Sequence, residues 1–128
     1  MVDVVDLIGV RFCDHGRSIA TGFDCYGLAI EVSRRLGYTL PDLWYKESND
    51  ETFDSNAEGI IKSLSDKVSL TKEQKLGNLV IFLECGRMVH IGVILDEDRF
   101  IHCDIRGVRV LKLSEYYRKN WKVYKWNV

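Results

Sequence analysis

Between Gly77 and Leu95 the chain reads GNLVIFLECGRMVHIGVIL. Leu79 to Glu84 is a short apolar run with turn residues on both sides, which predicts a strand. Met88 to Leu95 predicts a second strand, and Asp96-Glu97-Asp98 turns the chain. Arg99 to Ile105 follows as a third, and Val108 to Leu113 as a fourth after Gly107. Ser114 to Arg118 reads as one helical turn. Trp121 to Trp126 then alternates as a last strand.

Upstream the period changes. Cys25, Leu28, Ala29, Val32 and Leu36 mark one face of a helix over Cys25 to Leu36. Asp24 stands at its N-cap and Gly37 at its end. A weaker helix is expected over Ser55 to Leu64, with Ile60, Ile61 and Leu64 inward, and a short one over Val2 to Ile8. Pro41 opens a connection, and Lys46 to Asn56 reads as a polar loop. Helices followed by an antiparallel run of strands predict an α+β fold.

At 128 residues the chain suits one domain over 1–128. Hydrophobic residues at 46% and charged ones at 29% are ordinary for a globular protein and exclude a disordered tail. Eighteen basic against nineteen acidic residues, interspersed, leave no footprint for nucleic acid. No run approaches the roughly 18 apolar residues of a membrane span. Met1 to Val10 carries Asp3 and Asp6 and no early base, a poor secretory signal. Synthesis in a cytosol is therefore the expectation, and Cys13, Cys25, Cys85 and Cys103 are expected as reduced thiols.

Cys25 falls in the first turn of the main helix. Unpaired N–H groups and the helix dipole favour a thiolate there, and the thiolate is the nucleophile. Gly27 would let a substrate backbone approach closely. The alternative is a small buried hydrophobe. A nucleophilic Cys needs a base and a group to orient it. His90 and His102 lie on either side of the Asp96-Glu97-Asp98 turn. With a hairpin centred near residue 96 or 97, their separation of 12 sets both rings on one face. His90 would take the thiol proton through one ring nitrogen and be held through the other. His102 and Asp104 share that face, and the residues alone leave both as candidate orienters. His15 reads as a solvated loop residue. A zinc site from Cys13, His15, Cys85, His90, His102 and Cys103 has the residue types but poor spacing, because His102 and Cys103 point to opposite faces of a strand. Neither a metal nor another cofactor is expected.

Three blocks resemble the NlpC-type cysteine peptidases, papain-like endopeptidases of bacterial cell walls. They are Gly22-Phe23-Asp24-Cys25-Tyr26-Gly27-Leu28, then Gly77-Asn78-Leu79-Val80-Ile81-Phe82, then Val89-His90-Ile91-Gly92-Val93-Ile94-Leu95 with Arg99-Phe100-Ile101-His102. Val10-Arg11-Phe12, Gly16-Arg17-Ser18, Leu36-Gly37 and Leu40-Pro41 are similar to the tail-associated wall peptidases of phages and prophages.

The resemblance implies a papain-like fold, with the helix of the nucleophile packed on an antiparallel sheet. It implies Cys25 as nucleophile, His90 as base and His102 as orienter, and a substrate held near Asp24, Tyr26 and Gly27. The substrate it implies is a peptidoglycan stem peptide, cut in the family at the bond joining D-glutamate to a diamino acid. Phage tail-tip proteins are the implied partners, and the tail of a virion acting at the cell wall is the implied setting. The chain departs from the family at Phe12, where many members have tyrosine, at Tyr26, often serine, and at Asn78, commonly aspartate. Phe12 and Tyr26 motivate an alternative, an idle peptidase fold serving tail assembly or binding. A thiol amidase or acyltransferase would use the same residues.

Overall fold

A computed structural model describes residues 3–42 and 62–127. A 3-10 turn, Val5–Leu7, stands where a short helix was expected. Strands β1 (Arg17–Ser18) and β2 (Gly22–Phe23) form a small antiparallel pair that leads into helix α1 (Cys25–Arg35). Six further strands follow, β3 (Val68–Thr71), β4 (Leu79–Glu84), β5 (Arg87–Ile94), β6 (Arg99–Asp104), β7 (Gly107–Lys112) and β8 (Trp121–Trp126). They make one sheet in the order β3-β8-β4-β5-β6-β7, antiparallel at every junction. The architecture is α+β, a helix packed on an antiparallel sheet.

Helix α1 starts where its sequence says it should. Asp24 is extended, and its carboxylate accepts from the Gly27 backbone N–H at 2.6 Å. That satisfies one of the first-turn donors. Arg34 and Arg35 occupy the last turn, at the negative end of the helix dipole. Arg35 also reaches back to Asp6, 29 residues away, at 2.6 Å, which pins the N-terminal turn to the helix.

The sheet is apolar on both faces because both are covered. Leu79, Ile81, Ile91, Val93, Ile101 and Val108 pack with Leu28, Ala29 and Val32 of α1. Val80, Phe82, Ile94, Phe100 and Val123 pack on the other face beneath Leu113 and Tyr116. This is why Leu79 to Phe82 reads as an unbroken apolar run rather than an alternating one.

The strand expectations hold to within a residue or so at each end. Leu113–Glu115 is a turn, not the helical turn expected from Ser114 to Arg118. Asp98 holds it instead, accepting from the Ser114 N–H at 3.0 Å and its hydroxyl at 2.8 Å. Of the helix expected over Ser55 to Leu64, residues 55–61 lie outside the described residues, as does the loop Lys46 to Asn56. Leu64 is buried in the core as expected.

Candidate active site

The segment before α1 is organised around one buried carboxylate. Asp24 is fully buried. Besides capping Gly27, it accepts from the His15 N–H at 2.9 Å and from Arg17 Nη1 at 3.1 Å. Arg17 also donates to the Gly16 carbonyl at 2.9 Å and to Asp42 at 3.1 Å. A buried carboxylate is tolerable only with donors of this kind around it. His15 stands in this loop at φ 61, with its side chain beside Asp14 and substantially exposed.

Gly16 and Gly27 let the loop close on the helix. A Cβ on Gly27 would lie 2.0 Å from the Gly16 carbonyl oxygen. The space at Gly27, expected for an approaching substrate backbone, is therefore filled by this chain's own. Tyr26, also expected beside the substrate, is almost fully buried, and its hydroxyl donates to the Pro41 carbonyl. Burial first of all raises its pKa, keeping it neutral. Asp24, Tyr26 and Gly27 thus hold the start of α1 in place through contacts within the protein.

The two imidazoles meet. His90 Nε2 and His102 Nδ1 are 2.7 Å apart, and both residues are buried. The β5–β6 ladder pairs Val93 with Ile101 and Ile94 with Phe100, which centres the turn on Glu97. That register sets 90 and 102 as diagonal neighbours on one face, as their even separation predicted. Burial pulls the pKa of His90 well below the ordinary imidazole value, and the neighbouring His102 and Arg118 add to the shift. Burial likewise lowers His102, to about 4, against the opposing field of Asp104. Both rings are neutral at pH 7, so one nitrogen of the close pair donates and the other accepts.

Asp104, the rival orienter, is engaged elsewhere. Its carboxylate accepts from Arg109 at 3.1 Å and from the Arg106 N–H at 2.9 Å. These bonds, with the charges of His102 and the arginines, hold its pKa below the usual carboxylate value although burial pulls the other way. The ring that contacts His90 is that of His102. Its Nε2 is buried with no hydrogen-bond partner among the described residues. The Tyr116 ring lies edge-to-face against His102 at 5.4 Å.

Cys25 opens α1 and is 7% exposed. It belongs to the helix-side core cluster that also holds Phe23, Ile91, Ile101 and Cys103. Ile91 follows His90, and Ile101 and Cys103 flank His102. That cluster therefore includes chain neighbours of both imidazoles. By strand alternation the rings themselves belong to the Phe82 and Phe100 face. The ladder between β5 and β6 does not extend past Val93–Ile101 toward the histidines, so the strands are unpaired beside the ring pair. Cys103 faces the helix side, where its thiol donates to the Phe23 carbonyl at 3.1 Å; burial raises its pKa to about 12. Cys103 and His102 thus diverge as the strand pattern predicted. Cys85 sits exposed at the β4–β5 turn and Cys13 is half-buried; none of the four cysteines forms a disulfide among the described residues. Among the described residues no three His, Cys, Asp or Glu side chains gather as a metal site, and no helix is long and apolar enough to cross a membrane.

Sequence reasoning missed Arg17, which ties Asp24 to Asp42, and Tyr116, which covers His102. Neither contact has a local signal, because each joins segments brought together only by the fold.

Comparison with known proteins places this architecture. The NlpC/p60 domain of the peptidoglycan hydrolase SagA superposes with a TM-score of 0.62 at 18% identity, over 92% of this chain and 89% of that one. A protein similar to lipoprotein, of the NLP/P60 family, from Staphylococcus aureus subsp. aureus Mu50 superposes with a TM-score of 0.58 at 21% identity. There the match covers 93% of this chain but 38% of the other, so the chain corresponds to a part of that protein. No curated protein shows a significant match. The family model named NlpC/P60 matches residues 9–127, and the chain belongs to the NlpC/P60 family, a family of cysteine peptidases.

Proposed function

We propose that the protein is a cysteine endopeptidase that hydrolyses peptidoglycan stem peptides, with Cys25 as nucleophile, His90 as general base and His102 as the residue that orients it. The observation that carries this reading is the buried 2.7 Å contact between His90 Nε2 and His102 Nδ1, on strands against which the Cys25 helix packs.

The contact supports a division of roles. With Nε2 committed to His102, Nδ1 is the His90 nitrogen left for the thiol proton. A neutral base at Nδ1 carries its hydrogen on Nε2 and donates it to His102 Nδ1. His102 then keeps its own hydrogen on Nε2, the buried nitrogen that has no hydrogen-bond partner among the described residues.

In the reaction His90 takes the thiol proton as sulfur attacks the amide carbonyl. The first-turn N–H groups, including that of Cys25, stabilise the oxyanion. His90 returns the proton to the leaving amine, and water releases the acyl group from sulfur. The scissile bond proposed is that between D-glutamate and a diamino acid. Digestion of purified cell walls tests this: the wild type releases peptide fragments with new amino termini, and Cys25→Ala releases none. Equal products from both would overturn the mechanism.

The finer setting, the tail of a phage or prophage particle, rests on the sequence blocks from Val10 to Ser18 and from Leu36 to Pro41. Antibody labelling of purified virions at the tail tip supports it, and virions lacking the protein refute it.

A further inference from the structure

Two adjoining grooves flank the start of β8, away from Cys25. One, of about 370 Å3, is lined by Leu83, Gly86, Lys119 and Asn120. The other, of about 700 Å3, is lined by Leu70, Thr71, Lys72 and Gln74. Trp121 and Lys122 line both. No lining residue is acidic, although the chain as a whole has nineteen acids against eighteen bases. Lys72 and Lys122 make no ion pair among the described residues, and Lys119 reaches only the Ser114 carbonyl at 2.9 Å. The grooves therefore join a half-buried indole, uncompensated ammonium groups and amide side chains.

Their place in the sheet links them to the histidines. Phe82 pairs with Trp121 on β8 and with His90 on β5, so the three residues share one rung and one face. Ring centres are 6.3 Å apart from Trp121 to Phe82 and 5.8 Å from Phe82 to His90. Trp121 thus lies within about 12 Å of His90, the span of roughly three extended residues.

We propose that these grooves bind the glycan strand of the wall polymer. Trp121 takes the C–H face of a sugar ring, and Lys119 and Lys122 meet carboxylates that hang from the strand. The proposal rests on the hydrolase reading above and deepens it: the glycan strand would be held on the sheet face that carries the two imidazoles. An indole suits a pyranose, a lining with lysines and no acidic side chain suits an anionic polymer, and the length of two joined grooves suits a chain rather than a single small ligand.

The test compares one stem peptide, free and attached to a soluble glycan strand. The wild type should cut the attached form with at least tenfold higher kcat/KM. Trp121→Ala and the pair Lys119→Gln/Lys122→Gln should lose that preference through KM and cut the free peptide at the wild-type rate. The lysine pair is exposed, so it reports even where Trp121→Ala disturbs packing on Phe82. Equal kcat/KM of the wild type on both forms, or a preference unchanged in the lysine pair, overturns the proposal. If neither form is cut, the hydrolase reading fails separately. Sedimentation of Cys25→Ala with glycan strands stripped of peptide then decides: binding weakened by the lysine substitutions supports the groove, and absent or unaltered binding refutes it.

Discussion

The segment that delivers Cys25 and the ribbon that delivers the histidines are built on opposite principles. Residues 13–27 are irregular and held by polar contacts converging on one buried carboxylate, Asp24, with two glycines in backbone contact. Residues 87–112 are regular and held by apolar side chains on both faces, with the buried His90–His102 contact among them. Geometry in the first region depends on a few contacts that nothing duplicates. Geometry in the second is spread over many packed side chains, and its weak point is a change of charge rather than of volume.

The sharpest break between the two is a methyl group. Gly27→Ala sets a Cβ 2.0 Å from the Gly16 oxygen, backbone against backbone. We expect a loss of more than about 3 kcal/mol in denaturant unfolding. Gly92→Ala in the ribbon meets the Ile101 oxygen and the Phe100 ring at 3.0 Å, and should cost about 1–2 kcal/mol. A larger loss at Gly92 would reverse the comparison. Asp24→Ala removes the helix cap and strands the His15 N–H and the Arg17 guanidinium. About 3 kcal/mol of stability should go with it, read from the same unfolding curves.

The ribbon should instead answer to pH. Both imidazoles have pKa values depressed by burial, while an unfolded imidazole titrates near 6.5. Below pH 6.5 the unfolded chain binds protons that the folded chain refuses. Stability is therefore full above about pH 6.5 and falls progressively toward pH 4. The loss ascribed to His102 is about 2–3 kcal/mol, and His102→Phe should flatten that slope. A slope unchanged in the variant would show that other groups carry it. The same depression keeps His90 unprotonated, so the acid limb of hydrolysis should lie below the ordinary imidazole value. The smallest effect belongs to Tyr26→Phe, which removes one hydroxyl bonded to the Pro41 carbonyl and should cost about 1 kcal/mol.

The same contrast explains what could be read from the chain. Helix α1 is legible from its 3.6-residue apolar period, β8 from its alternation, and β4 to β7 as short apolar runs between turn residues, and the even spacing of His90 and His102 sets both on one face. Strand β3 was missed because it has only four residues and exposes Leu70. The β1–β2 pair, two residues to a strand, is too short to show any period. The freedom of Gly27 is visible in sequence, whereas the Gly16 carbonyl packed against it, eleven residues earlier, is not. Asp104 was left level with His102 because parity placed both correctly. Which of them meets His90 was decided by Arg106 and Arg109, whose pull on the carboxylate no spacing rule reports.

The central claim is that Cys25 and His90 act as a pair. Alkylation of the intact protein across pH 5 to 9, followed residue by residue by mass spectrometry, tests it most directly. The account predicts that Cys25 reacts faster at neutral pH than the exposed Cys85, and that His90→Gln slows Cys25 at least tenfold while leaving Cys85 unchanged. A Cys25 that reacts no faster than Cys85, or one indifferent to the loss of His90, would contradict it.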